Sequence, residues 1–142
     1  DGPSSPAAES TIESIPIGIA PGGSTSDHGE LTMNWAAQGG GCSPTHGYSV
    51  GGYSPPASPS NVTNIEKFSF TAPANGTDVG ELTANKADPA VCQSTTALYS
   101  CLGIIGGTVQ DVIEEIPYAT DSNGTDVGEA VDALRHGSAT EV

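Results

Sequence analysis

The chain contains very few basic residues. Only three of its 142 residues are Lys or Arg, against 17 Asp or Glu, and its formal net charge at pH 7 is −14. A surface of this sign repels the phosphates of nucleic acids and of anionic lipids. We therefore expect no nucleic-acid partner. Such an acid excess is typical of proteins in extracellular or salty water, where dissolved ions screen the repulsion.

Long hydrophobic runs and aromatic residues are also scarce. No stretch approaches the roughly 18 consecutive apolar residues of a membrane span, so we expect no membrane insertion. Apolar residues make up 35% of the chain and aromatic residues 5%, which allows only a small core. The 19 glycines and 11 prolines favour short elements joined by tight turns.

Motifs of catalysis are missing as well. The sequence carries neither a Gly-x-Ser-x-Gly elbow nor a phosphate-binding Gly-x-x-x-x-Gly-Lys-Ser/Thr loop. Its carboxylates recur periodically and do not form one distinct pair for acid–base work. We expect a protein that is not an enzyme.

An internal repeat is the strongest positive feature. The heptapeptide Asn-Gly-Thr-Asp-Val-Gly-Glu occurs at 75–81 and again at 123–129, and a degenerate copy lies at 24–30. Copies are spaced about 50 residues apart, a period typical of sheet repeats. An apolar word beginning Ile-Glu precedes each copy, at 12–17, 65–70 and 113–118.

These short words, separated by Gly, Asn and Asp turns, predict antiparallel strands. We expect an all-β fold of about three repeated sheet units that resemble propeller blades. An extended N-terminal arm, 1–19, would carry the first strand of the first unit, and a β-repeat domain would follow at 20–142. The helix-compatible stretch 128–135 falls in the repeat register of 80–86, which favours strand or irregular structure there. The predicted unit boundaries are roughly 11–52, 53–107 and 108–142.

The words at 45–53, 65–70 and 77–83 resemble a Kelch-like β-propeller repeat found in marine phage and bacterial surface proteins. They share a Gly-Gly that closes one strand, an aromatic strand after it and a period near 50. The resemblance covers roughly 11–137 and implies propeller blades with a binding or structural role, but no particular chemistry. Two of the units lack the Trp that is typical of Kelch blades, and about three units are fewer than the 4 to 8 blades of a closed propeller.

Two functions follow from this arrangement. The units are out of phase with the chain ends, so we expect neighbouring subunits or further blades to complete the sheets. The first hypothesis is a self-assembling structural subunit of an extracellular fibre or virion appendage, a homopolymer joined head to tail. The arm would add a strand to the next copy through Ile12, Ile15 and Ile17. The alternative is a glycan- or receptor-binding propeller module of a phage or bacterial surface protein.

The acidic repeat word also raises the question of calcium, because Ca²⁺ prefers oxygen ligands. The word does not match the EF-hand spacing, and Asn-Gly is equally the sequence of a tight hairpin turn. We favour the turn and expect no cofactor. The weaker calcium candidates are Asp78, Glu81, Asp121, Asp126 and Glu129.

Three asparagines lie in N-glycosylation acceptor sequences, Asn61, Asn75 and Asn123. The chain would be a glycoprotein if a secreting host modifies them.

Three cysteines are candidates for disulfide bonding, Cys42, Cys92 and Cys101. Cys42 and Cys92 fall at nearly the same distance after the repeat word, which would place them on neighbouring blades of a propeller. Cys92 and Cys101 are close in sequence and could close a hairpin. The alternative, three free thiols that pack as small apolar groups, remains open.

Overall fold

The computed structural model describes residues 9–16, 18, 20–54, 62–134 and 137. Within these residues the chain forms eleven strands, no helix and three antiparallel sheets, which confirms the predicted all-β fold of sheet units. The strands are β1 (Glu9–Ser14), β2 (Ser26–Trp35), β3 (Gly39–Cys42), β4 (His46–Val50), β5 (Asn64–Ser69), β6 (Thr77–Glu81), β7 (Ala90–Gln93), β8 (Ala97–Cys101), β9 (Ile104–Ile105), β10 (Thr108–Pro117) and β11 (Thr125–Leu134).

The three sheets share one strand order. The first sheet pairs β1 with β2, and the second has the order β3-β4-β5-β6. The third has the order β7-β8-β10-β11, with the short β9 paired to β10. In every sheet the strand of the Ile-Glu word lies beside the strand of the Asp-x-Gly-Glu word.

The sheet boundaries differ from the predicted unit boundaries. The second sheet takes strands from predicted units 11–52 and 53–107, and the third from 53–107 and 108–142. The reason is that the chain passes to a new sheet after the Asp-x-Gly-Glu strand and not after the Gly-Gly word. Among the described residues, the first sheet therefore has only two strands, whereas the third sheet has four main strands. The stretch 128–134, which lies in β11, is strand as the repeat register predicts.

Each Asp-x-Gly-Glu word forms a β-bulge at the same place. The pairing register shifts beside the glutamate of each Ile-Glu word, in all three sheets. In two sheets the aspartate supports the bulge: Asp78 Oδ1 accepts a hydrogen bond from the Gly80 amide at 3.2 Å, and Asp126 Oδ1 from the Gly128 amide at 3.1 Å. The repeated Asp and Gly thus shape the backbone locally.

The main apolar core lies between the second and third sheets. The rings of Tyr48 and Tyr118 lie 5.6 Å apart between centroids, and the Tyr118 hydroxyl donates to the Cys42 carbonyl oxygen at 2.8 Å. Burial raises the pKa of Tyr48 above its ordinary value. The fully buried members of the cluster are Tyr48, Val50, Ile65, Leu82, Leu98 and Ile116.

Glycines in β3 allow the second and third sheets to approach closely. A Cβ at Gly39 would overlap Val91, and a Cβ at Gly41 would overlap both Leu98 and Val91. Gly40 points elsewhere, and a Cβ there would meet no atom within 4 Å. The alternation is that of a strand, whose successive residues face opposite sides.

We predict that Gly41→Ala destabilises the fold by about 1–3 kcal/mol, because the added methyl overpacks the space between the sheets. Gly40→Ala on the same strand is the matched control and should change stability by no more than about 0.5 kcal/mol. Urea unfolding of both variants measures the difference. Equal stabilities would contradict this packing of β3 against the third sheet.

Candidate functional site

The repeated heptapeptide links neighbouring sheets. Asn75 and Gly76, just before β6 in the second sheet, bind the backbone of Glu30 in the first sheet. Asn75 Oδ1 accepts a hydrogen bond from the Glu30 amide at 3.1 Å, and the Gly76 amide donates to the Glu30 carbonyl oxygen at 2.8 Å. The bond to Asn75 joins residues that are 45 positions apart in sequence.

The next interface repeats both bonds. Asn123 Oδ1 accepts from the Glu81 amide at 3.1 Å, and the Gly124 amide donates to the Glu81 carbonyl oxygen at 2.8 Å. We call the Asn-Gly pair the clip, and the Gly-Glu backbone that it meets the socket. One heptapeptide thus carries a clip for the preceding sheet and a socket for the following one.

The socket glycine is required by close approach of the next sheet. A Cβ at Gly29 would overlap the Ala74 carbonyl oxygen, and a Cβ at Gly80 would overlap the Ser122 carbonyl oxygen. Neither backbone atom can move aside cheaply, so a side chain at these positions would push the sheets apart. The Asp-x-Gly-Glu word therefore serves the contact between sheets as well as the bulge.

Asn-Gly lies in the connection of a β-hairpin, as expected, but it does not form a tight two-residue turn. A tight turn of the type that favours Asn-Gly needs positive φ at both central residues. Gly76 and Gly124 do not have positive φ, and the connection between β5 and β6 spans 70–76. The pair lies at the end of a long connection because its role is to bind the preceding sheet.

A buried carboxylate forms the second link between the first two sheets. The Glu66 side chain, in β5, belongs to a residue that is 1% exposed. Its Oε2 accepts from the Thr32 amide at 2.8 Å, and its Oε1 accepts from Trp35 Nε1 at 2.9 Å. The Thr32 hydroxyl also donates to Oε1, at 2.5 Å. Several donors thus replace the water that burial removes.

The equivalent residue of the third sheet, Glu114, is 0% exposed. Its Oε1 accepts from the Thr83 amide at 2.6 Å, and its Oε2 pairs with the Lys86 ammonium group at 2.5 Å. Lys86 is buried as well, so this is an ion pair removed from water. Thr32 and Thr83 occupy the same repeat position, as do Trp35 and Lys86.

These buried glutamates were not among the residues predicted from sequence. A signal was present, because a Glu stands at the second position of all three Ile-Glu words. Its donors follow the socket as Thr-x-x-Trp in one unit and Thr-x-x-Lys in the next. The sequence does not reveal the shared role of these donors, because an indole and an ammonium group are chemically unlike. Their common function is visible only in the structure, where both donate to a carboxylate.

The outer units depart from the pattern. Glu13, the counterpart of Glu66 and Glu114, is exposed. In the third unit the Thr and Trp or Lys positions hold Val131 and Leu134. The first unit has Ser24-Thr25 in place of the Asn-Gly clip, and a Cβ at Gly128 would meet nothing within 4 Å among the described residues.

The described part of the arm pairs within its own chain. Ile12 lies opposite Gly29 in the β1–β2 ladder, and Ile15 is 63% exposed. Ile17 lies outside the described residues. The predicted third unit, 108–142, contains no strand to pair with the other edge of β10. In the structure β8, from the segment before that unit, takes this position. An arm from another copy therefore has no vacant position beside β10.

The calcium candidates do not converge. Asp78 accepts from Asn64 Nδ2 at 2.8 Å, Asp121 pairs with Lys67, and Asp126 supports its bulge. Glu81 serves the clip through its backbone, and Glu129 lies opposite Val112 in a ladder. In the described part of the chain, no group of three or more His, Cys, Asp or Glu residues could hold a metal ion.

The glycosylation candidates Asn75 and Asn123 are exposed, although their side-chain oxygens bind the preceding sheet. Asn61 lies outside the described residues. Glycan attachment at these positions stays a prediction.

The cysteines are one residue out of the expected register. Tyr48 lies opposite Gly41, whereas Tyr99 lies opposite Cys92. Tyr48-Ser49 and Tyr99-Ser100 are the same pair in successive units. Cys92 therefore corresponds to Gly41, and Cys42 corresponds to Gln93. The Cys42 amide donates to Gln93 Oε1 at 3.1 Å. All three cysteines are free thiols in the structure.

Comparison with known proteins returned no match to a family model and none to a curated protein. Among the described residues, no helix is long and apolar enough to cross a membrane.

We predict that Glu114→Gln lowers the free energy of unfolding by about 3–5 kcal/mol, because it leaves the Lys86 charge buried without a counter-ion. Glu13→Gln, at the equivalent exposed position, is the matched control and should cost no more than about 0.5 kcal/mol. Urea unfolding measures both.

Adding Lys86→Met to Glu114→Gln should recover part of the loss, since the unpaired charge is then removed. A Glu114→Gln variant as stable as the Glu13→Gln control would refute the buried ion pair.

Proposed function

We propose that this protein is a non-enzymatic structural subunit that adds its sheets to a larger β assembly, an extracellular fibre or virion appendage. One observation carries the proposal. The third sheet ends the stack uncovered: no clip occupies its Gly128–Glu129 socket in the described part of the chain, and apolar side chains of β11 are left exposed there. The net charge of −14 favours an extracellular setting.

The surface around this socket supports a role in association. β11 exposes three large apolar side chains: Val127 is 50% exposed, Val131 is 101% exposed and Leu134 is 54% exposed. We call these three residues the β11 surface. Covering apolar area contributes about 25 cal/mol per Å². Large apolar side chains exposed on a strongly acidic chain are a feature of interaction surfaces.

The open edge of β1 is the second surface. β5 and β10, the counterparts of β1, each have a further strand on one edge, β4 and β8 respectively. Among the described residues the corresponding edge of β1 has no strand. Pairing of β1 with β1 of a second copy would give a sheet of four strands, the number on the main path of the other two sheets.

Copies of the chain are the partner that we propose. Head-to-tail stacking that copies the contacts between sheets within the chain is disfavoured. It would set Glu13 against Leu134, which is apolar, whereas the internal interfaces set a glutamate against Trp35 or Lys86. It would also bring Ser24 to the socket in place of an asparagine. Copies would instead join β1 to β1 and β11 surface to β11 surface. Two such contacts used alternately generate an open filament.

A second candidate function is a glycan- or receptor-binding propeller module. It is favoured by the packing of Gly39 and Gly41 of β3 directly against Val91 of β7. Propeller blades approach each other in this way near a central axis. Negative-stain micrographs separate the two functions, because the filament predicts open-ended particles and the module predicts discs about 40–50 Å across.

We predict that the purified chain sediments as species larger than its 14.1 kDa monomer and forms filaments. The double variant Val131→Asp, Leu134→Asp should reduce the filament to a dimer, because charge on the β11 surface removes one of the two contacts. Deletion of residues 1–19 should leave a dimer joined through the other contact.

Met33→Asp, at an exposed apolar residue of the first sheet, is the control and should leave the filament intact. Circular dichroism shows whether each variant keeps its sheet content. A monomeric parent chain, or a filament unchanged by both the double variant and the deletion, would contradict the proposal.

A further inference from the structure

Two of the three cysteines are cross-strand neighbours in the third sheet. In the β7–β8 ladder Ala90 lies opposite Cys101, and Cys92 lies opposite Tyr99. Residues 90 and 92 face the same side of β7, so Cys92 and Cys101 share one face of the sheet and are diagonal neighbours. Residues in this relation are neighbours on the surface of the sheet.

The face that they share points away from the core. Leu98 and Ser100, which alternate with Tyr99 and Cys101 along β8, are fully buried. Leu98 belongs to the cluster against the second sheet, so the thiols lie on the opposite side. Both cysteines are half-buried and not sealed inside the protein. A small soluble oxidant can therefore approach them.

The Cys92 thiol lies near enough to affect the titration of Cys101. Partial burial, together with the neighbouring Cys92 thiol and its hydrogen bond, raises the pKa of Cys101 to about 11. Diagonal neighbours lie about 7–8 Å apart, at the upper limit of what a disulfide spans, so forming the bond also requires a small movement of β7 toward β8.

The third cysteine has a different environment. Cys42 is in the second sheet, where its sulfur lies 3.7 Å from Gln93 Oε1 and its amide donates to the same oxygen. Gln93, and not a second thiol, thus fills the space that faces Cys42. Cys92 and Cys101 are therefore neighbours, whereas Cys42 has no thiol beside it among the described residues.

We propose that Cys92 and Cys101 form a reversible disulfide under oxidising conditions, a covalent link between β7 and β8, while Cys42 remains a thiol. A soluble disulfide such as oxidised glutathione is the oxidant. One cysteine thiolate attacks it, forms a mixed disulfide and releases one reduced glutathione. The second thiolate then attacks the protein sulfur of the mixed disulfide and releases the other. Two protein thiols are oxidised, one glutathione disulfide is reduced, and the thiol protons pass to the two leaving thiolates.

The link would secure an edge of the third sheet. β7 pairs only with β8 among the described strands, and its Val91 packs against the glycines of β3. A bond across β7 and β8 restricts the unfolded chain and holds this edge in place. The inference is independent of the proposed assembly, because it concerns one chain.

The test uses the full chain, incubated with oxidised glutathione, then denatured and treated with a thiol-alkylating reagent. Intact mass spectrometry should find one alkylated cysteine per chain, and peptide mapping should join Cys92 to Cys101. Because only thiolates react, oxidation should accelerate as the pH rises above neutrality. The oxidised chain should melt a few degrees higher than the reduced chain, and a reductant should reverse the shift.

Cys42→Ser is the matched control and should form the same disulfide at the same rate. Cys92→Ser should lose the intramolecular disulfide and the rise in melting temperature. A disulfide that includes Cys42, or three cysteines that all stay alkylatable after prolonged oxidation of the folded chain, would overturn the inference. If Cys92→Ser fails to fold, Cys101→Ser gives the same comparison.

Discussion

The contact between one Asp-x-Gly-Glu strand and the Asn-Gly pair of the next sheet is the interaction on which this structure depends. A chain with 35% apolar residues cannot rely on a large core. Its sheets are joined by hydrogen bonds to backbone groups that the bulge presents, at Glu30 and at Glu81. Glycine in the socket lets the next loop approach until those bonds form. The socket glycines, the bulges and the repeat word therefore have one physical cause.

The buried glutamates add specificity to this contact. Burying a carboxylate is costly unless donors replace its water shell, and both interfaces supply a Thr amide for that purpose. They differ in the second donor, an indole at Trp35 and an ammonium group at Lys86. The indole leaves the carboxylate charge uncompensated, whereas Lys86 neutralises it. Two chemically different residues at one repeat position thus serve the same requirement, with different electrostatic results.

The need of a buried glutamate for donors from the neighbouring sheet also affects which surfaces can pack against the two ends of the stack. A sheet that offers Val131 and Leu134 at the donor positions is a poor partner for another buried glutamate but a good one for an apolar surface. A sheet that exposes Glu13 is solvated as it stands. The ends of the stack are therefore different from its internal interfaces, and contacts between copies would follow edge pairing and apolar burial.

Much of the fold is local information that the sequence contains by itself. Alternating apolar residues and turn words determined the strands, and the recurrence of Asn-Gly-Thr-Asp-Val-Gly-Glu determined that the sheets repeat. Only the tertiary structure decided which strands share a sheet, that Asn75 and Asn123 bind between sheets, and that Glu66 is buried while Glu13 is not. It also decided the one-residue offset between Cys42 and Cys92. The reason is that a strand's pattern depends on its neighbours in sequence, whereas Asn75, Asn123 and Glu66 bind groups that lie more than 30 positions away.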